Sequence, residues 1–122
     1  MTTFVVRRPG LTKEAFERHH REVHAPLFAA NPAANKYVKR YVLSYPTTFQ
    51  PPGLPHASCD AIVEFWFDSV AGMIATFAHP HYISKVRPDE RRFMDMERSS
   101  FILTHETVVI QRDATLPISD GQ

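Results

Sequence analysis

The chain has little with which to staple itself, span a bilayer or bind by charge. It carries one cysteine, Cys59, so no internal disulfide can form, and a reducing, cytoplasmic setting is the expectation. No apolar run approaches the ~20 residues that cross a membrane. Arg7, Arg8 and Pro9 interrupt the N-terminal stretch before a signal-like apolar segment develops. Neither sign of charge dominates, since 14 Lys and Arg against 13 Asp and Glu leave a formal net charge of +1. The basic residues are scattered, which argues against nucleic acid or an anionic membrane as partner. There is no solenoid-length repeat.

What is present is enough for one domain and no more. A chain of 122 residues, 43% hydrophobic and 22% charged, can bury one real core. Residues 1–110 read as that domain and 111–122 as a C-terminal tail. Seven histidines are many for this length. Three of them, His19, His20 and His24, fall in the stretch Glu14 to Leu27. At 3.6 residues per turn, Phe16, His20, Val23 and Leu27 share a helix face, with His24 at its edge and His19 on the solvated flank.

The rest of the chain alternates strands and helices. Thr2 to Val6 reads as a first strand. Thr12 is an N-cap for the histidine helix, which Pro26 should end or kink near His24. Lys36 to Tyr45 alternates as a second strand, with Tyr37, Lys39, Tyr41, Leu43 and Tyr45 on one face. Pro46 to Ser58, holding His56, is a loop long enough to be functional. Cys59 to Phe67 is the clearest strand, with Asp60, Ile62, Glu64 and Trp66 on one side. Asp68 or Ser69 then caps a helix whose Val70, Met73, Ile74 and Phe77 form an apolar stripe. His79, Pro80, His81 and Tyr82 end it. Ile83 to Arg98 reads as a helical region broken at Pro88, and Phe101 to Ile110 as a fourth strand.

That order, strand, helix, strand, strand, helix, strand, is an α+β, ferredoxin-like βαββαβ sandwich. Its helices would cover one face of the sheet. The other face, apolar in the third strand, would be covered by a second copy, so a homodimer is the physical expectation.

The residues Phe16…His20-Arg-Glu-Val-His24-Ala-Pro-Leu27, Asp60-Ala-Ile-Val-Glu64-Phe-Trp66-Phe67-Asp68-Ser69, Asp89-Glu90…Phe93…Asp95 and Phe101 to Val109 resemble the EthD family of the dimeric α+β barrel superfamily. The resemblance extends to its polyketide decarboxylase, dehydratase and methylmuconolactone isomerase-type members. It implies sheet-to-sheet pairing, with a pocket in each subunit between sheet and helices. It also implies a small lyase, cyclase or isomerase that needs no organic cofactor. An aromatic, polyketide-like or lactone substrate would undergo decarboxylation, dehydration, cyclisation or isomerisation through an enolate-like state.

For that chemistry His24 is the candidate general base, since imidazole titrates near ~6.5; a structural histidine bonded to a carbonyl freed by Pro26 is the plain alternative. His79 and His81 are candidate helpers, or simple caps of a helix C-terminus. Asp60, half desolvated in mid-strand, could shuttle a proton or pair with Arg40. His20, Phe16, Tyr41, Tyr45, Glu64, Trp66, Phe77 and Tyr82 are the candidate pocket residues. A metal on His20 and His24, four apart, lacks further ligands nearby and is not expected. Rival readings are a cofactor-free or haem-linked monooxygenase, and a non-catalytic small-molecule-binding partner of an oxygenase.

Overall fold

The computed structural model describes residues 1–112, so all but the first two residues of the segment read as a tail, 111–122, lie outside the described residues. Four strands form one antiparallel sheet: β1 (Thr2–Val5), β2 (Val38–Ser44), β3 (Ala61–Phe67) and β4 (Ser100–Ile102), in the order β2-β3-β1-β4. This is the ferredoxin-like arrangement expected from the element order. Register fixes which side chains share a face. Phe4 pairs with Ile62, Thr2 with Glu64, and Arg40 with Trp66, so these point one way. Val5, Val63 and Phe65 point the other way, into the core with Phe16, Phe28, Val86 and Phe93.

β4 is three residues long, not the ten expected from Phe101 to Ile110. Its partner β1 begins at Thr2, which faces Ile102, so later residues have no strand to bond. The second strand likewise starts late. Asn31 accepts from the Ala33 N–H at 2.9 Å and opens a short helix, α3 (Pro32–Tyr37), where a simple connection was expected.

The histidine helix does not stop at His24. It runs as α1 (Lys13–His19), a single π-helical turn (His20–His24) and α2 (Ala25–Ala29). Thr12 caps it as expected, accepting from the Ala15 N–H at 3.1 Å. In the wide turn the Ala25 N–H bonds the His20 carbonyl, five residues back. This loosens the ladder just where the Pro26 ring would meet a regular helix. The same device recurs: a π-turn at Tyr82–Val86 precedes α5 (Arg87–Phe93), and Pro88 sits in the first turn of α5 instead of breaking it.

The wide turn also changes the buried face. Side chains four apart, Phe16, His20, His24 and Phe28, now all point inward, while Val23 is 45% exposed. The second long helix, α4 (Val70–Ala78), is capped by Ser69, which accepts from the Gly72 N–H at 3.0 Å. Its expected apolar stripe is divided. Gly72 and Thr76 are buried, Met73 and Phe77 lie at the margin, and Val70 and Ile74 are exposed. The inward strip is small because α3 packs close: a Cβ on Gly72 would lie 2.9 Å from Tyr37 Cδ1. Asn31 Nδ2 ties the two helices by donating to the Thr76 carbonyl at 3.0 Å.

Candidate active site

Sheet and helices enclose a cavity of about 380 Å3. Val5, Val63 and Phe65 form its floor, Phe28 and Phe77 its sides, and His20, His24, Tyr41, Tyr82, Arg87 and Glu90 bring polar atoms to it. Few convergent polar groups in an apolar hollow is the usual form of a small-molecule site.

The centre of the site is Asp89, wholly buried in α5. Its Oδ2 accepts from His24 Nδ1 at 2.8 Å, and its two oxygens accept from His19 Nε2 at 2.9 and 3.0 Å. Arg92 adds an ion pair at 3.4 Å. Burial pushes the Asp89 carboxyl up, but the hydrogen bonds from His24 and His19 outweigh it and hold it below its ordinary value. Burial holds His24 below the ordinary 6.5, against the opposing pull of Asp89. At neutral pH the pair is therefore a carboxylate and a neutral imidazole. With Nδ1–H committed to Asp89, the lone pair falls on Nε2, and the ring borders the cavity. This is the orientation a general base needs.

His20, 2% exposed, lines the same cavity with its Nδ1 buried and unpartnered among the described residues. Desolvation, then the neighbouring His24, lowers it to about 3, so it is neutral throughout the physiological range. Phe93 lies against His19, His20 and His24, with ring centroids 5.0, 5.1 and 4.8 Å away. A second carboxyl, Glu90, accepts from the Tyr82 hydroxyl at 2.7 Å. Burial raises Glu90 above its usual range.

Of the residues singled out in the sequence, the cavity brings together His20, His24, Tyr41, Phe77 and Tyr82. Phe16 sits behind them, buried against His20 and Phe93. Tyr45 places its ring 5.7 Å from His20, under the Arg21 guanidinium. His79 and His81 are not at this cavity; His79 Nδ1 accepts from the His81 backbone N–H at 3.0 Å. Asp60, Glu64 and Trp66 project from the opposite face of the sheet or its end. Asp60 accepts from the Arg7 backbone N–H at 2.8 Å and pairs with the Arg7 side chain, not with Arg40. Arg40 instead covers the Trp66 ring, and Trp66 Nε1 donates to Glu106 at 2.7 Å. Glu64, Trp66 and His105 border a separate hollow of about 520 Å3. His19, expected in solvent, is bound to Asp89 because the wide turn and α5 meet there. Asp89 and Glu90 were visible in the sequence only as part of a family pattern, with no role attached.

Among the described residues, no cluster of three or more His, Cys, Asp or Glu side chains is arranged to hold a metal ion. No helix among them is long and apolar enough to cross a membrane.

Fold and cavity together define a ferredoxin-like α+β domain with a histidine–carboxylate pair facing an apolar hollow. The EthD domain model matches residues 8–97, and the chain belongs to the EthD family. It is similar to the dehydratase aurZ of Gibberella zeae, 24% identical over 96% of this chain and 82% of the relative. It is equally similar to the conidial pigment biosynthesis dehydratase EthD of Metarhizium robertsii, 24% identical over 96% of this chain and 88% of the relative. The dehydratase ustZ of Ustilaginoidea virens is 27% identical over 80% of this chain and 75% of its own. A solved EthD family protein of Bacillus halodurans shares the fold, with a TM-score of 0.66 at 15% identity, over 87% of this chain and 96% of that one.

Proposed function

We propose that this chain is a lyase of the dehydratase type, removing water from a β-hydroxy carbonyl compound of polyketide origin. The observation that carries the reading is the 2.8 Å bond from His24 Nδ1 to buried Asp89, which leaves Nε2 as a base at the rim of an apolar cavity. His24 takes the acidic proton beside the substrate carbonyl. The electron pair left behind forms the new double bond and expels the β-hydroxyl, which leaves as water once protonated. Asp89 holds the ring in the reactive tautomer and stabilises the imidazolium that forms. Phe28, Phe65 and Phe77 supply a dry wall suited to an aromatic or polyene substrate. The dehydratase relatives, named in part for pigment biosynthesis, support this choice over isomerisation or decarboxylation.

A panel of β-hydroxy ketone polyketides, with water loss followed by mass, tests it. His24→Ala should lower turnover by about 10²–10⁴-fold, the share general acid–base catalysis supplies. A His24→Ala protein that still dehydrates at the native rate would remove the base from the mechanism.

The outward sheet face favours a homodimer. Phe4, Ile62, Val42 and Ile102 lie together there by register, and Phe4 and Ile102 are exposed in the single chain. Light scattering should give the mass of two chains; a monomer at micromolar concentration would oppose the pairing.

A further inference from the structure

Elimination of water needs two protons handled at opposite ends of the substrate. His24 accounts for one. We infer that Glu90 is the catalytic acid that delivers the other to the departing hydroxyl, held in place by Tyr82. This rests on the dehydratase reading and extends it.

Three observations converge. Glu90 and Tyr82 border the same cavity as His24, so a bound molecule can meet both carboxyl-linked groups. The Tyr82 O–H donates to Oε2 at 2.7 Å. That bond occupies Oε2, which leaves Oε1 of this cavity-lining carboxyl to carry a proton. Third, neighbouring positions on α5 serve opposite ends of the chemistry. Asp89 is turned to His19, His24 and Arg92, while Glu90 is turned to a phenol.

The surroundings push the two carboxyls apart. Desolvation raises Glu90, with the adjacent Asp89 charge acting the same way; the Tyr82 hydrogen bond, Arg87 and Arg91 pull it down, and the net direction is upward. Tyr41, on β2, also faces the group and is itself raised by burial. His20 and His24, across the cavity, are both lowered and so bring no positive charge at neutral pH. Two carboxyls tuned in opposite directions at one site are a recurring acid–base assignment.

The step balances. The C–H bond beside the carbonyl breaks and its proton goes to His24. Its electron pair becomes the carbon–carbon π bond as the C–O bond breaks. Hydroxide takes the Glu90 proton and leaves as water, so Glu90 ends as a carboxylate and His24 as an imidazolium. Proton return from His24 to Glu90 through solvent restores both.

The test separates the two carboxyls' roles by following proton exchange and water loss independently, in solvent D2O, with a β-hydroxy ketone. His24→Ala should lose both. Glu90→Gln should keep deuterium exchange beside the carbonyl within about threefold, while water loss drops by about 10²-fold. Tyr82→Phe removes a bond that favours the anion, so the alkaline limb of the rate profile should move upward. Infrared titration of the wild-type protein should show a protonated carboxyl band that persists above the ordinary glutamate range and that Glu90→Gln deletes. Dehydration by Glu90→Gln near the native rate, loss of exchange along with dehydration, or absence of that band would each overturn the role of Glu90. If the wild type neither exchanges nor dehydrates the panel, the dehydratase reading fails, and the infrared band still decides whether Glu90 holds a proton.

Discussion

His24 Nδ1 and Asp89 Oδ2 are 2.8 Å apart although 65 positions separate them in the chain, and the carboxylate has no exposure. The bond joins the wide turn before Pro26 to the first turn of α5, so the site and the helix packing depend on the same contact.

Replacing Asp89 by Asn keeps the shape and changes the hydrogen bonding. One amide oxygen can still accept, but the amide N–H2 cannot accept from the second imidazole. His24 loses its counter-charge, and it competes with His19 for the one remaining acceptor. Turnover should fall by about 10²–10⁴-fold, with KM little altered, in steady-state assays on the β-hydroxy ketone panel. Retention of native kcat would show that Asp89 is only structural.

Acid should weaken the fold before it protonates any cavity histidine. His20 titrates near 3 when folded and near 6.5 when unfolded, so below pH 6.5 the unfolded chain binds more protons and stability falls with pH. The cost approaches about 1.4 kcal/mol per pH unit for such a group, and ceases to grow only below about pH 3. Asp89 acts in the same direction lower down: its depressed carboxyl stabilises the fold above pH 3.8 and that contribution is lost as pH falls through the folded value. Melting temperatures should therefore fall from pH 6.5 to 4. His20→Phe, placed among Phe16, Phe93 and Tyr45, should flatten that decline. The acid limb of kcat/KM should lie below pH 6.5, since His24 is lowered by burial.

Gly72→Ala should destabilise despite the better helix propensity of alanine. The new Cβ would stand 2.9 Å from Tyr37 Cδ1 and 3.0 Å from its Cβ, which is fixed to the α3 backbone and cannot swing clear. Overpacking of this kind costs about 1–3 kcal/mol, against a propensity gain of up to about 1 kcal/mol. Urea melts would read the difference, and adding Tyr37→Ala should relieve the overlap. A Gly72→Ala protein more stable than the parent would refute the close approach.

Asn31 holds both ends of one connection: its Oδ1 caps α3 and its Nδ2 donates to the Thr76 carbonyl. Asn31→Ala should lose the cap, worth about 0.5–2 kcal/mol, and strand a buried carbonyl, worth about 1–3 kcal/mol. Asn31→Asp should keep the first and lose the second. Equal losses for the two variants in thermal unfolding would count against the division.

Much of this was legible in the residues. Thr12 and Ser69 announced two helix starts by chemistry, and the alternation through Ile62, Glu64 and Trp66 gave β3 its two faces. What escaped were features decided by partners distant in sequence. FILTHETVVI has the composition of a full strand, yet β1 is only four residues long and offers no edge beyond Ile102. Val70 and Ile74 keep helical spacing with Phe77, but α3 and Gly72 choose a different face to bury. Asp89 in Arg-Pro-Asp-Glu-Arg-Arg looks like an ordinary first-turn acid on a solvated helix. Only the return of His19 and His24 from the other end of the chain makes it the centre of a site.

The wide turn of His20–His24 has a consequence for insertions and deletions. It accommodates one residue more per turn than a regular helix would, so the shape of the cavity wall depends on residue count as well as residue type. Removing a single residue between His20 and Ala25 would let the stretch wind as a regular helix, in which four residues sweep about the same arc as five in the wide turn, so α2 would keep its bearing. Phe28 would stay on the core, but inside the turn the imidazole now touching Asp89 would change its bearing, although no cavity side chain had been altered. Length in this stretch is as much a determinant of the chemistry as the identity of any histidine in it.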